Sequence, residues 1–174
     1  MQRHVELPEF FVDRSLGRIK VPQLLRQAGL TIVTLADRYG IPTDETVTDE
    51  QWLVDAGGRS EAVLTKDARI RYNRAEKEAI KRFGVRCFCL VRQDLSANNM
   101  AGRFIDNLDR IVAACREPGP FLYAVHVRRI ERLVHTDSAL RVETWGGAGP
   151  VTRPHQQSLD EIHPSRIVAT RGHP

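Results

Sequence analysis

Acidic side chains recur in this chain where buried apolar runs end, and that placement could do chemistry. In Ala62–Glu76 (AVLTKDARIRYNRAE) a short apolar run gives way to Thr65, Lys66, Asp67, Arg69 and Arg71, so one carboxylate sits among several cations. A second run, Glu9–Val12 (EFFV), ends at Asp13 and Arg14, and a third, Thr31–Leu35 (TIVTL), ends near Asp37. Asp49 and Glu50 follow Thr48, a good helix N-cap, in the first turn of a helix, where the macrodipole favours acids. Carboxylates packed within about 4 Å of one another repel by several kcal/mol at an effective dielectric near 20, so such a group needs protons or a cation. Oxygen donors without His or Cys select Mg²⁺ or Mn²⁺. A cation so held activates water and stabilises charge on a phosphodiester, while Arg14, Lys66, Arg69 and Arg71 contact the phosphates.

The elements that must position these residues follow from periodicity. Apolar runs of four to seven residues suit strands buried on both faces, and EFFV, TIVTL, AVLT, VRCFCLV (Val85–Val91) and FLYAVHV (Phe121–Val127) qualify. Between them, Val21, Leu24, Leu25 and Ala28 repeat at helical spacing, and Trp52, Leu53 and Ala56 point inward from a short helix closed by Gly57 and Gly58. Another helix runs from Asn73 to Phe83; Asn73 and Glu76 have the spacing of a capping box, so Glu76 reads as a cap rather than a ligand. Met100 to Cys115 carries a wide apolar stripe, predicting one long amphipathic helix for core packing. Alternation of strand and helix predicts an α/β three-layer sandwich around a central parallel sheet of about five strands, with right-handed crossovers. Ligands in such sheets bind outside the carboxyl ends of the strands. There Asp13, Asp49 (or Glu50) and Asp67 face one another, with Asp37 at the rim.

Composition excludes little. The chain has 174 residues, 41% hydrophobic and 28% charged, with a net charge of +4, as for one ordinary globular domain. The local balance says more: Arg59 to Arg92 holds ten Lys or Arg against four acids, which suits a polyanionic substrate. No apolar run approaches the roughly 20 residues of a membrane span and the amino end lacks an h-region, predicting a cytoplasmic protein. Cys87, Cys89 and Cys115 read as small buried hydrophobes, and His155, His163 and His173 are too widely spaced for a metal site. Residues 8–133 form the expected domain; 134–174, rich in Pro, His and Ser, are expected to be disordered or ordered by a partner, with Leu140–Trp145 available as an edge strand.

VDRSLG at Val12–Gly17, TDEQWL at Thr48–Leu53 and VLTKDARIR at Val63–Arg71 resemble the PIN-domain nucleases, and more closely the PIN-like subgroup that includes VapC-type toxins. The likeness spans roughly Phe10 to Leu133 and includes PGPFLY at Pro118–Tyr123, similar to that subgroup's last strand. The resemblance implies a metal-dependent ribonuclease, the toxin of a toxin–antitoxin pair, inhibited by a small antitoxin, with RNA as substrate; a homodimer is a further expectation. Asp13 then matches the first family acid, Asp49 the acid at the helix start and Asp67 the acid after the strand. The family's second acid, on a helix after strand one, has Asp37, Asp44 and Glu45 as candidates and no clean match. The competing reading is a catalytically silent module that holds RNA or a protein. A nucleotide-binding regulator ranks last, because no glycine-rich phosphate loop is present.

Overall fold

The computed structural model describes residues 7–135 and 140–143. Strands β1 (Phe10–Val12), β2 (Ile32–Thr34), β3 (Ala62–Thr65), β4 (Arg86–Leu90), β5 (Phe121–Val125), β6 (Ile130–His135) and β7 (Leu140–Glu143) alternate with helices α1 (Lys20–Gln27), α2 (Leu35–Tyr39), α3 (Asp49–Gly58), α4 (Arg74–Arg82), α5 (Ala97–Asp106) and α6 (Leu108–Ala114). All seven strands share one sheet in the order β2-β1-β3-β4-β5-β6-β7. The first five are parallel, as the apolar runs predict; β6 and β7 add an antiparallel edge. The edge strand expected from Leu140 is β7, whereas β6 was not foreseen, since its charged residues Glu131 and Arg132 break up the apolar pattern.

Period-two alternation sorts the strand residues into two cores. Phe10, Val12, Leu64, Phe88 and Tyr123 pack on one face against α1, α5 and α6. Phe11, Val63, Cys87, Cys89 and Leu122 pack on the other against α3 and α4, where Phe11 stacks on Trp52 with ring centroids 5.3 Å apart. This is the three-layer sandwich. The three cysteines are buried and free, in keeping with a packing role. Among the described residues no helix is long and apolar enough to cross a membrane.

The helix expected over Met100–Cys115 is broken at Asn107. The side chain of this fully buried residue donates to the carbonyls of Arg103 (2.8 Å), His126 (3.0 Å) and Val127 (3.4 Å). It therefore occupies the Arg103 carbonyl that the Asn107 backbone N–H would take in a continuous helix, and that N–H turns to Phe104 instead. Asn107→Ala leaves part-buried carbonyls without their donor and opens a small cavity at a fully buried position, and is expected to cost on the order of 1–2 kcal/mol, read as a lower urea midpoint at unchanged slope.

The connectivity positions the functional residues. From β1 the chain crosses to β2 on one side and then returns to lay β3 on the other, so β1 and β3 are central neighbours whose carboxyl ends open onto the same crevice. Val12 pairs with Leu64, and the Asp13 N–H donates to the Leu64 carbonyl at 3.0 Å.

Candidate active site

Asp13 leaves β1 in extended backbone and starts a single 3-10 turn, Arg14–Leu16. Its side chain is buried, 4% exposed, and one oxygen, Oδ2, accepts from Ser15 Oγ (2.5 Å) and Thr65 Oγ1 (2.8 Å). The same hydroxyls tie the two strand ends together: the backbone N–H of Lys66 donates to Ser15 Oγ at 2.9 Å, and that of Asp67 to Thr65 Oγ1 at 3.0 Å. Burial pushes the Asp13 carboxyl above its ordinary range, the hydroxyl bonds pull it back, and the nearby charge of Asp49 raises it further.

Asp49 opens α3 after Thr48, whose side chain caps Gln51 N. The buried Trp52 indole donates to Asp49 Oδ1 at 3.0 Å, fixing the carboxylate on the crevice side of the helix. Asp67 follows β3 and caps the turn Ala68–Arg71. The guanidinium of Arg69 forks onto both its oxygens, with Nε 3.1 Å from Oδ1 and Nη2 2.6 Å from Oδ2, and holds the carboxyl below its ordinary range.

Glu76 corrects the sequence reading. Only half of the expected capping box forms: Asn73 Oδ1 accepts from the N–H groups of Ala75 and Glu76, but the Asn73 N–H donates to the Arg69 carbonyl, not to Glu76. The Glu76 carboxyl is buried instead, 5% exposed, beside Asp49 and Asp67. Burial first, then those two charges, lift it to about 7. The spacing of a cap concealed a fourth acid of the group.

Asp13, Asp49, Asp67 and Glu76 thus gather at the carboxyl ends of β1 and β3, while the other acids go elsewhere. Asp37 takes part in a capping box with Thr34 and pairs with Arg26 at 2.6 Å; these bonds outweigh burial and keep its carboxyl low. The helix α2 it helps to start is signalled by Thr34-x-x-Asp37. Glu50 is exposed and lines a groove between α3 and α4 with Val54, Glu78 and Arg82. Asp44, buried, pairs with Arg18, and Glu45 lies on the same rim.

The cations divide in the same way. Arg69 is 79% exposed beyond its contact with Asp67, and Lys66 is half-buried between Asp67 and β3. Arg71 reaches Cys89 Sγ at 3.9 Å with its Nε buried and unpartnered, and Arg14 donates to the carbonyls of Val47 and Glu45.

Among the described residues, no three His, Cys, Asp or Glu side chains stand close enough together to hold a metal ion as they lie. Each acid is turned toward a partner from the chain: Asp13 to hydroxyls, Asp49 to an indole, Asp67 to a guanidinium. The donor chemistry nevertheless fits a hard divalent cation. It is all oxygen, its carboxylates repel one another, and a cationic side chain already stands on one of them.

A family model described as "PIN like domain" matches residues 8–92, which contain Asp13, Asp49, Asp67 and Glu76. A Mycobacterium tuberculosis protein provisionally named ribonuclease VapC45 is 40% identical over 129 residues, covering 74% of this chain and 94% of that relative. No solved structure gives a significant match.

Proposed function

That the chain belongs to the PIN-like domain family, in its VapC-type branch, is the premise from which we propose its function: a ribonuclease that cleaves RNA phosphodiester bonds with the help of a divalent metal. The observation that carries this reading is the convergence of Asp13, Asp49, Asp67 and Glu76 on one crevice, where burial and the neighbouring acids raise the carboxyls of Asp13 and Glu76. Asp13, Asp49 and Asp67 hold the cation, Mg²⁺ or Mn²⁺, with Glu76 completing the group; Asp37 and Glu50 serve structure at the margins. When bound, such a cation neutralises the carboxylates, lowers the pKa of the attacking water and stabilises charge on the phosphate.

The chain's own residues do the rest. Ser15 and Thr65 anchor one oxygen of Asp13 and leave the lone pairs of the other for a ligand. Trp52 orients Asp49. Arg69, planar and exposed, fits a phosphate with the same fork that now grips Asp67, and Lys66, Arg71 and Arg14 supply positive charge around it. As a VapC-type toxin, the protein works in the cytoplasm and is held in check by a small antitoxin, and the active species is a homodimer.

Incubation of the purified protein with structured RNA and Mn²⁺ tests the reading. Cleavage is expected, with Asp67→Asn slowing it at least about a hundredfold. Cleavage that Asp67→Asn leaves unchanged sinks the assignment. Salt-sensitive RNA retention without cleavage by the wild type favours the silent binding module instead.

A further inference from the structure

Beside the acid group, on the β2 side of β1, lies a cavity of about 250 Å³. Its walls are the end of β1, the 3-10 turn after it, the start of α2 and the turn Thr43–Glu45. It shares Asp13 and Arg14 with the crevice, so a chain whose phosphate lies at Asp13 has this cavity within one nucleotide's reach. Val12, Leu35 and Ala36 offer apolar surface for a flat ring, and Arg18 and Asp44 supply the charged lining.

Two described acids, Glu61 and Asp44, are buried with one oxygen gripped by an arginine and the other without a partner, and of the two only Asp44 lines this cavity. Asp44 is 6% exposed; Oδ2 is gripped by Arg18, while Oδ1 is buried with no hydrogen-bond partner. A buried carboxylate with an unserved oxygen is costly, and the cost is relieved by a ligand that brings donors. Arg18, 43% exposed, holds Asp44 and Glu45 through the same Nη2, which leaves its other guanidinium nitrogens to donate to the same ligand.

Building on the ribonuclease reading, we infer that this cavity is a nucleobase subsite selective for guanine. Guanine alone among the RNA bases presents two adjacent donors, N1–H and the 2-amino group, to match a carboxylate, with the acceptor O6 next to them for a guanidinium. Adenine and cytosine set one amino donor beside an acceptor, and uracil has a single N–H between two carbonyls. Reading an unstacked base by this edge is how single-stranded RNA is recognised. The subsite fixes which nucleotide lies beside the bond that is cut.

The test is a titration of the metal-free protein with GMP, IMP and AMP, followed by NMR, which needs no cleavage. GMP is expected to bind at least about tenfold more tightly than AMP, the difference a well-formed bidentate contact makes, with IMP, which lacks the 2-amino group, between them. Asp44→Asn should erase the preference and Arg18→Gln should weaken it; the exposed Arg18 variant decides the matter if Asp44→Asn does not fold. Equal affinities for GMP and AMP, or a full tenfold preference surviving in either variant, overturns the inference. Mapping of RNA ends cut by the wild type separates this claim from the one beneath it. Cleavage without a guanine at a fixed position removes the subsite and leaves the nuclease; selective GMP binding by a protein that cuts no RNA does the reverse.

Discussion

Asp13→Asn is expected to lower kcat/KM for Mn²⁺-supported RNA cleavage at least about a thousandfold, while raising the melting temperature of the metal-free protein. The two effects share one cause. Asp13 is buried, and burial together with Asp49 pushes its carboxyl above the ordinary range, so at neutral pH its charge costs folding energy that a neutral side chain of the same shape does not. Asn retains an oxygen able to accept from Ser15 Oγ and Thr65 Oγ1, the two bonds that hold Asp13 in place. Packing and both hydroxyl bonds therefore survive. What disappears is one carboxylate of the acid group, and a loss of about 4 kcal/mol in transition-state stabilisation corresponds to a thousandfold in rate. Initial rates on a labelled RNA and a thermal melt without metal check both halves. A variant that melts lower and still cuts RNA would show that Asp13 is a scaffold residue. Activity bought with strain in the resting state is a common trade in enzymes, and the hydroxyls of Ser15 and Thr65 limit it here.

How much of this was legible beforehand varies by element. The five parallel strands were, because runs such as Phe10–Val12 and Ala62–Thr65 are buried on both faces and carry continuous apolar sequence. Their order in the sheet makes neighbours of Asp13 and Asp67, so the central pair of acids followed from strand ends alone. Three features were hidden. The break at Asn107 depends on carbonyls from a loop nineteen and twenty residues away, and no local pattern reports a distant acceptor. Glu76 sits three residues after a helix-starting Asn, where local spacing argues for a cap; burial against Asp49 and Asp67, a tertiary fact, decided otherwise. Ser15 and Thr65 are small polar residues common in turns, and they became informative only once the two strand ends were side by side. Conversely, Asp37 stood at a strand end in sequence but is spent on Thr34 and Arg26. Position at a strand end proposes a site residue; the partners of its oxygens determine whether it is available. Of the expected tail, residues 134–174, residues 136–139 and 144–174 lie outside the described residues.

The acid group should also write itself into the pH dependence of stability, and a divalent cation should erase that signature. Glu76 titrates near 4.5 when unfolded and at about 7 in the folded chain, through burial and the charges of Asp49 and Asp67. Between those values the folded state binds the proton that the unfolded state has released, so the stabilisation present below pH 4.5 is lost as pH rises toward 7. The span corresponds to a few kcal/mol at most, on the order of 3. Asp13, raised for similar reasons, acts in the same direction. Asp67, lowered by Arg69, acts in the opposite direction, but only as pH falls below its ordinary value of 3.8 and so beneath this window. The metal-free protein is therefore expected to melt several degrees lower at pH 8 than at pH 5.5. Saturating Mn²⁺ should close this gap, since a ligand at a hundred times its Kd adds about 2.7 kcal/mol to the folded state, and protons compete with it at the lower pH. Glu76→Gln should flatten the metal-free profile, raise the melting temperature at pH 8, and weaken the Mn²⁺ response there. Melting curves at the two pH values, with and without Mn²⁺, are sufficient. A metal-free wild type that grows more stable from pH 5.5 to pH 8 would mean that the Glu76 carboxyl is not crowded by its neighbours, and the case for one shared cation would lose its electrostatic basis.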